Sequence, residues 1–283
     1  MATCVARALA SARAVLAGAG IESASLDAQV LLCRCLHATR ERLVADPNRE
    51  LTPGEESEFM AMVGRRARRE PVAYIVGSKE FYGRDFAVNP EVLIPRPETE
   101  LLVELACTRA PRGGTVFEVG VGSGAVICSI LAERRDLKGV ANDVSMGAVK
   151  TALMNARALG VADRLTLFRG RFLEGLAVGV DLVVANPPYV SDGDMRLLPE
   201  EVRLFEPEEA LRGGPDGLRV VKEIIFGARE ALCPGGEILM EVGYGQKDAV
   251  EKLFLGCGGM TVTGWVRDLA GIERVVIGKR CHG

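Results

Sequence analysis

Histidine is nearly absent. The chain has two, His37 at an apparent helix end and His282 beside the last residue. That leaves no histidine-dependent catalytic triad and no histidine metal centre to assemble. Long apolar runs are missing too: no stretch of about 18 residues is free of charge, so no membrane-spanning segment is expected. A basic surplus is lacking, since 35 Lys and Arg face 38 Asp and Glu for a net charge of -3. This argues against a protein that works mainly on phosphate backbones, and no direct nucleic-acid partner is expected. Cysteine pairs at zinc spacing do not occur. The eight cysteines are scattered, with Cys33 and Cys35 the nearest pair, and read as reduced thiols of a cytoplasmic protein. The first twenty residues place Arg7 and Arg13 in an Ala/Leu/Val pattern, which reads as an amphipathic helix and not a signal peptide.

What is present is the mix of a globular chain. Hydrophobic residues make up 48% and charged residues 26% of 283 positions, enough for one large domain or two unequal ones. Residues 1–70 read as helices, with apolar spacing in Val5, Leu9, Ala12 and Leu16 and again in Leu26, Val30, Leu31 and Leu36. Thr52-Pro53-Gly54-Glu55 has the form of a capped helix start. The helix it opens ends in Arg65, Arg66, Arg68 and Arg69, read as a solvated basic end suited to the helix dipole, with a docking surface as the alternative. Residues 71–92 read as a hairpin linking two domains. From about residue 112 onward strands alternate with helices, which implies a parallel, doubly wound α/β sheet with ligands at the carboxyl ends of its strands. Cys233-Pro234-Gly235-Gly236 reads as a sharp turn before a strand from Glu237 to Val242.

Two motifs carry chemistry. Glu118-Val119-Gly120-Val121-Gly122-Ser123-Gly124 closes the first strand of the alternating region, where glycine lets the backbone turn sharply and a ligand lie against it. Glu118 can hold this loop through its amides or contact a ligand amine. Asp143, at the end of the next strand, can accept from both hydroxyls of a ribose. With Ala125 the loop also satisfies the dinucleotide pattern, so a nicotinamide cofactor stays open at this point. The second motif is Asn186-Pro187-Pro188-Tyr189, which follows the strand Asp181 to Ala185. Its prolines stiffen the backbone. The Asn186 side-chain oxygen and the Pro187 carbonyl form a pair of acceptors for the two hydrogens of an NH2 group, and Tyr189 offers a flat face to a planar amide or base. Such acceptors return electron density to an amide nitrogen and aim it. A sulfonium methyl donor then needs in-line positioning and neither metal nor covalent intermediate. Hydride transfer has no use for this pair, which demotes the dinucleotide reading. Open at this point are methylation of a glutamine side chain, methylation of adenine in nucleic acid, and a non-catalytic binding role.

Together with Arg69-Glu70-Pro71-Val72-Ala73-Tyr74, Glu80-Phe81-Tyr82-Gly83, Pro95-Arg96-Pro97-Glu98-Thr99-Glu100 and Phe205-Glu206-Pro207, these motifs resemble the HemK/PrmC-type glutamine methyltransferases of peptide-chain release factors over nearly the whole chain. The resemblance implies a small N-terminal helical substrate-docking domain (1–70), a β-hairpin linker (71–92) and a seven-stranded Rossmann-like class I methyltransferase domain (93–283). It implies S-adenosyl-L-methionine bound by Gly120, Val121, Gly122, Ser123, Gly124, Asp143 and Asn186. It also implies a class I release factor whose Gly-Gly-Gln glutamine is held by Asn186, Pro187, Pro188 and Tyr189, with the glutamine of another translation protein as the alternative acceptor. The chain departs from the family pattern at Glu118, Val121 and Gly170-Arg171-Phe172. Arg171 stands where the family has an acceptor for the adenine amine and cannot itself accept; Phe172 is expected to pack on the ring. Altered but retained cofactor affinity is the expectation.

Overall fold

The computed structural model describes residues 3–171 and 179–281; Phe172 and His282 lie outside the described residues. Helices α1 (Val5–Gly18), α2 (Ala24–Leu36), α3 (Arg40–Ala45), α4 (Pro53–Ala67) and α5 (Val72–Val76) come first. Strands β1 (Ser78–Phe81) and β2 (Arg84–Ala87) pair as a hairpin. Then follow α6 (Glu100–Arg109), β3 (Thr115–Val119), α7 (Ala125–Glu133), β4 (Lys138–Asp143), α8 (Met146–Ala158), β5 (Leu165–Arg169) and β6 (Val180–Ala185). Next are β7 (Val190–Ser191), α9 (Glu200–Phe205) and β8 (Arg212–Gly214). Last come α10 (Arg219–Ala231), β9 (Leu232–Glu241), α11 (Lys247–Cys257), β10 (Met260–Arg267) and β11 (Glu273–Arg280).

Contacts divide the chain into two compact units, residues 1–78 with Pro199–Phe205, and residues 79–198 with 206–283. The first unit packs Leu16, Leu31, Leu32, Phe59 and Val63 into one core, each such side chain contributing about 1.5–3 kcal/mol by leaving water. Helix α4 starts as its sequence implies. The Thr52 hydroxyl accepts from the Glu55 amide at 3.2 Å, and the Glu55 carboxylate accepts from the Thr52 amide at 2.8 Å. Its basic end is not wholly solvated. The Arg66 side chain is only 4% exposed and donates to Asp27 at 2.6 Å and Glu201 at 2.7 Å. A buried guanidinium requires such partners, and this pairing is one reason α9 belongs with the first unit although it lies far along the chain.

Residues 71–92 are not hairpin throughout. Pro71 stands at the N-cap of α5, and Gly77 ends that helix with φ 80°, so Val72–Val76 form a helical turn. The hairpin is confined to β1 and β2, where Tyr82 (φ 52°) and Gly83 (φ 70°) form the turn, both in the left-handed region that two-residue hairpin turns demand.

In the second unit the sheet order is β10-β11-β9-β6-β3-β4-β5. β5, β4, β3, β6 and β9 run parallel, while β11 is antiparallel to both β9 and β10. The sheet is therefore mixed and not purely parallel: β10 returns directly into β11, and adjacent strands joined by a turn must run in opposite directions. Cys233-Pro234-Gly235-Gly236 falls inside β9, but the pairing jumps from Val180–Leu232 to Leu182–Glu237 there. The turn-forming residues thus survive as a bulge. Helices α6, α7 and α8 cover one face; α10 and α11 cover the other. From β3 the chain winds outward through β4 and β5, then crosses back to β6 on the opposite side. The loops after β3 and β6 therefore diverge at the switch point of the sheet, where a crevice opens.

Candidate active site

At that switch point lies a cavity of about 490 Å³, the size of a small-molecule site. Gly120, Val121, Gly122 and Ser123 from the loop after β3 line it, with Glu118, Asp143, Arg171, Asn186, Pro187 and Pro188. Gly120 and Gly122 have φ of 74° and 51°, a region open to glycine at little cost. A Cβ built on either meets no heavy atom within 4 Å, so the backbone at the cavity is accessible to a ligand. Gly124 behaves differently. Its φ is 79°, and a Cβ there would approach Ala152 of α8 at 3.1 Å. It is not among the residues that line the cavity, and it lets α7 pack closely on α8.

The two carboxylates of the first motif have separate tasks. Glu118 is buried and accepts from the Ile127 amide at 3.0 Å, capping the start of α7 from the preceding strand. Burial pushes its carboxyl well above the usual range. Asp143 accepts from the Gly122 amide at 3.0 Å and the Ser145 amide at 2.9 Å. Burial raises its pKa and these amides oppose the rise. The Val144 amide also bonds this carboxylate, and a carboxylate has about four acceptor sites, so Asp143 can hold the loop and still accept from a ribose hydroxyl. Asn155 of α8, silent in the sequence, braces the same loop by donating to the Ser123 carbonyl at 2.8 Å.

Across the cavity, Asn186 donates through Nδ2 to the Thr99 hydroxyl at 3.0 Å, and Thr99 donates to Glu241 at 2.7 Å. Glu241 is 2% exposed and also bonds the Tyr189 hydroxyl. Burial pushes Glu241 up to about 7, against the Thr99 bond and the positive charge of Arg274. Burial also pushes Tyr189 up to about 12. Tyr189 does not line the cavity: a Cβ on Gly243 would meet its ring at 3.1 Å, and its hydroxyl is engaged by Glu241. Gln246 pins the same loop, donating to the Tyr189 carbonyl at 3.1 Å and accepting from the Gly243 amide at 2.8 Å. Glu206, buried, accepts from the Ile94 amide at 3.1 Å and from Arg96 at 2.5 Å, holding Pro95 and Arg96 on the cavity wall. Arg171 is on that wall with a side chain 56% exposed, 3.4 Å from Glu223.

Sequence reasoning missed Thr99, Glu206, Glu241 and Gln246 as site residues. A charged residue ending the apolar run Ile238-Leu239-Met240-Glu241 was the available signal for one of them. Among the described residues, no group of three or more His, Cys, Asp or Glu could hold a metal ion. No helix among them is long and apolar enough to cross a membrane.

Residues 7–77 match the PrmC N-terminal domain, and residues 97–205 match the methyltransferase small domain. The chain is 42% identical to the release factor glutamine methyltransferase of Nitratidesulfovibrio vulgaris, with 96% of this chain and 94% of that protein covered. To the protein of the same name from Geobacter sulfurreducens it is 40% identical, with 94% and 93% covered. A methyltransferase from Pyrococcus furiosus shares the fold at 18% identity and a TM-score of 0.54, over 77% of this chain and 96% of that one.

Proposed function

The chain belongs to the release factor glutamine methyltransferase family, and on that premise we propose that its substrate is a class I peptide-chain release factor, methylated on the side-chain amide of the glutamine in a Gly-Gly-Gln motif. The observation that carries this reading is the crevice itself, which joins a glycine loop and a ribose acceptor on one wall to Asn186, Pro187 and Pro188 on the other.

The methyl donor is S-adenosyl-L-methionine, and the residues present fit it. Gly120 and Gly122 expose backbone to the cavity, and Asp143 retains acceptor capacity for a ribose hydroxyl beyond its bonds from the Gly122, Val144 and Ser145 amides. When bound, this cofactor supplies an electrophilic methyl group on a cationic sulfur. The chain's own task is then to present a nucleophile. With Nδ2 committed to Thr99, the Asn186 oxygen is the free end of that amide and accepts one substrate N-H; the Pro187 carbonyl accepts the other. Two acceptors orient the nitrogen, raise its electron density and stabilise the positive charge as it forms; the methylated nitrogen is then strongly acidic and gives up one of its two protons past these acceptors to solvent water, so no histidine base is needed. Pro188 stiffens this wall. Tyr189 is assigned to the glutamine's approach from beyond the cavity, with its hydroxyl tied to Glu241. Docking of the rest of the factor is assigned to the N-terminal unit, and the cytoplasm is the location that goes with such a partner.

The test uses purified protein, labelled S-adenosyl-L-methionine and a class I release factor, beside the same factor with its motif glutamine changed to alanine. Label on the first factor alone supports the reading, and Asn186→Ala is expected to remove at least about 100-fold of the rate. Label on both factors, or on neither while the cofactor binds, sinks the assignment of the acceptor; transfer to adenine in nucleic acid is then the alternative to assay.

A further inference from the structure

We infer that Thr99 and Glu241 form a buried relay that decides which end of the Asn186 amide faces the substrate, making both of them positioning residues for acceptor specificity. The inference rests on the reading of Asn186 as the acceptor of the substrate NH2 group.

An asparagine amide is nearly symmetric in shape but not in polarity. Turned about its last torsion, it would present two donors in place of an acceptor, and a site built to receive an NH2 group would repel it. Something must therefore hold it one way round. Pairing of Ala185 with Met240 places Asn186 and Glu241 as the next residues on neighbouring strands. Thr99, from the turn Pro97–Thr99, joins them, with bonds of 3.0 Å to Asn186 and 2.7 Å to Glu241.

The direction of these bonds follows from valence. In its ionised form the Glu241 carboxylate can only accept, so the single hydroxyl hydrogen of Thr99 is then committed to Glu241. What Thr99 turns toward Asn186 is then a lone pair, which can only receive the Nδ2 hydrogens. The amide oxygen is left on the side away from Thr99, and Asn186 lines the cavity. Reversing the amide would set its oxygen against the Thr99 oxygen with no hydrogen between them. Burial opposes the charge of Glu241, as does Glu98, while the Thr99 and Tyr189 hydroxyls that bond it and Arg274 of β11 favour the ionised, acceptor form. Glu241 ends 2% exposed and Thr99 5% exposed. Water therefore has little access to substitute for either bond, and the polarity of the relay is set by the protein alone.

The relay predicts a selectivity that a merely structural pair of residues would not produce. A glutamine and a glutamate side chain have the same shape, but the glutamate offers no hydrogen to the Asn186 oxygen. A release factor carrying glutamate in the motif should therefore compete poorly with the natural factor. Thr99→Val removes the hydroxyl at nearly constant shape. It frees the amide to turn, so that Nδ2 can meet a carboxylate. Thr99→Ser restores the hydroxyl. Glu241→Gln, which can donate as well as accept, relaxes the relay at its other end.

The experiment measures, for the full chain and each variant, kcat and KM with the natural release factor, Kd for S-adenosyl-L-methionine by calorimetry, and Ki for the factor with its motif glutamine changed to glutamate. For Thr99→Val, kcat should fall about tenfold or more while the cofactor Kd stays within about twofold. The ratio of glutamate-factor Ki to natural-factor KM should shrink by about fivefold or more, because docking elsewhere cancels in the ratio. Thr99→Ser should return both quantities toward those of the unaltered protein, and Glu241→Gln should move the ratio as Thr99→Val does. A ratio unchanged in both Thr99→Val and Glu241→Gln overturns the relay, whatever happens to kcat; so does a loss in Thr99→Val that Thr99→Ser fails to recover. Asn186→Ala keeps the two readings apart. If it remains active, the acceptor assignment itself falls. If it is inactive while Thr99→Val keeps its rate and its ratio, only the relay falls.

Discussion

Replacing Glu241 by glutamine should stabilise the folded protein in mild alkali and leave it unchanged in acid. Burial lifts the Glu241 pKa from the ordinary 4.5 to about 7, so the folded chain holds this proton more tightly than the unfolded chain does. Between those two pH values the unfolded state releases the proton first, and folding stability falls as pH rises. Below pH 4.5 both states are protonated and there is no cost; above about 7 the full cost is present. At about 1.36 kcal/mol for each pH unit, the span corresponds to about 3 kcal/mol. Glutamine fills the same space with no charge to desolvate. In a unit of this size the gain is worth about 6–12 °C in Tm. The assay is thermal denaturation of the unaltered chain and the variant in a buffer series from pH 5 to 8.5, followed by circular dichroism. The difference in Tm should be near zero at the acid end and grow through neutrality. A difference that stays flat with pH would refute the reasoning, since it would mean that Glu241 does not titrate between the two states as its burial requires. The same group links stability to function: the ionised form that costs stability is the one the relay needs, so kcat of the unaltered protein should rise with pH through about 7. The groups acting on Glu241 there are Thr99, Tyr189, Arg274 and Glu98.

Asp143→Ala removes the acceptor of the Gly122 and Ser145 amides together with the ribose partner, and calorimetry should show S-adenosyl-L-methionine binding weakened by about tenfold or more. Arg66→Met leaves Asp27 buried without its cation, which should cost about 3–5 kcal/mol; limited proteolysis would then cut within residues 1–78 at a lower temperature than in the unaltered chain. Arg171→Asp puts a hydrogen-bond acceptor on the cavity wall where an exposed cation now pairs with Glu223. Its cofactor Kd should fall by about threefold or more, and no change would show that position 171 does not face the adenine.

The sequence by itself determined what depends on neighbours along the chain. The capped start of α4, the strand-helix alternation from Thr115 onward and the glycine loop are set by residues within a few positions of one another, where backbone sterics and apolar periodicity act. Asn186-Pro187-Pro188-Tyr189 was legible for the same reason, because two prolines at a strand end stiffen the chain whatever surrounds them. Only the tertiary structure decided which glycine serves which end. Gly120 and Gly122 face open space, while Gly124 meets Ala152, a neighbour brought in by the next helix. It also showed that the basic end of α4 buries Arg66 between Asp27 and Glu201, and that the sheet closes with an antiparallel strand. Above all it brought Thr99, Asn186 and Glu241 together, residues 87 and 142 positions apart for the two bonds that join them. A hydrogen bond is satisfied by proximity in space, and proximity across such intervals is created by the packing of the sheet, which leaves no periodic trace in the chain.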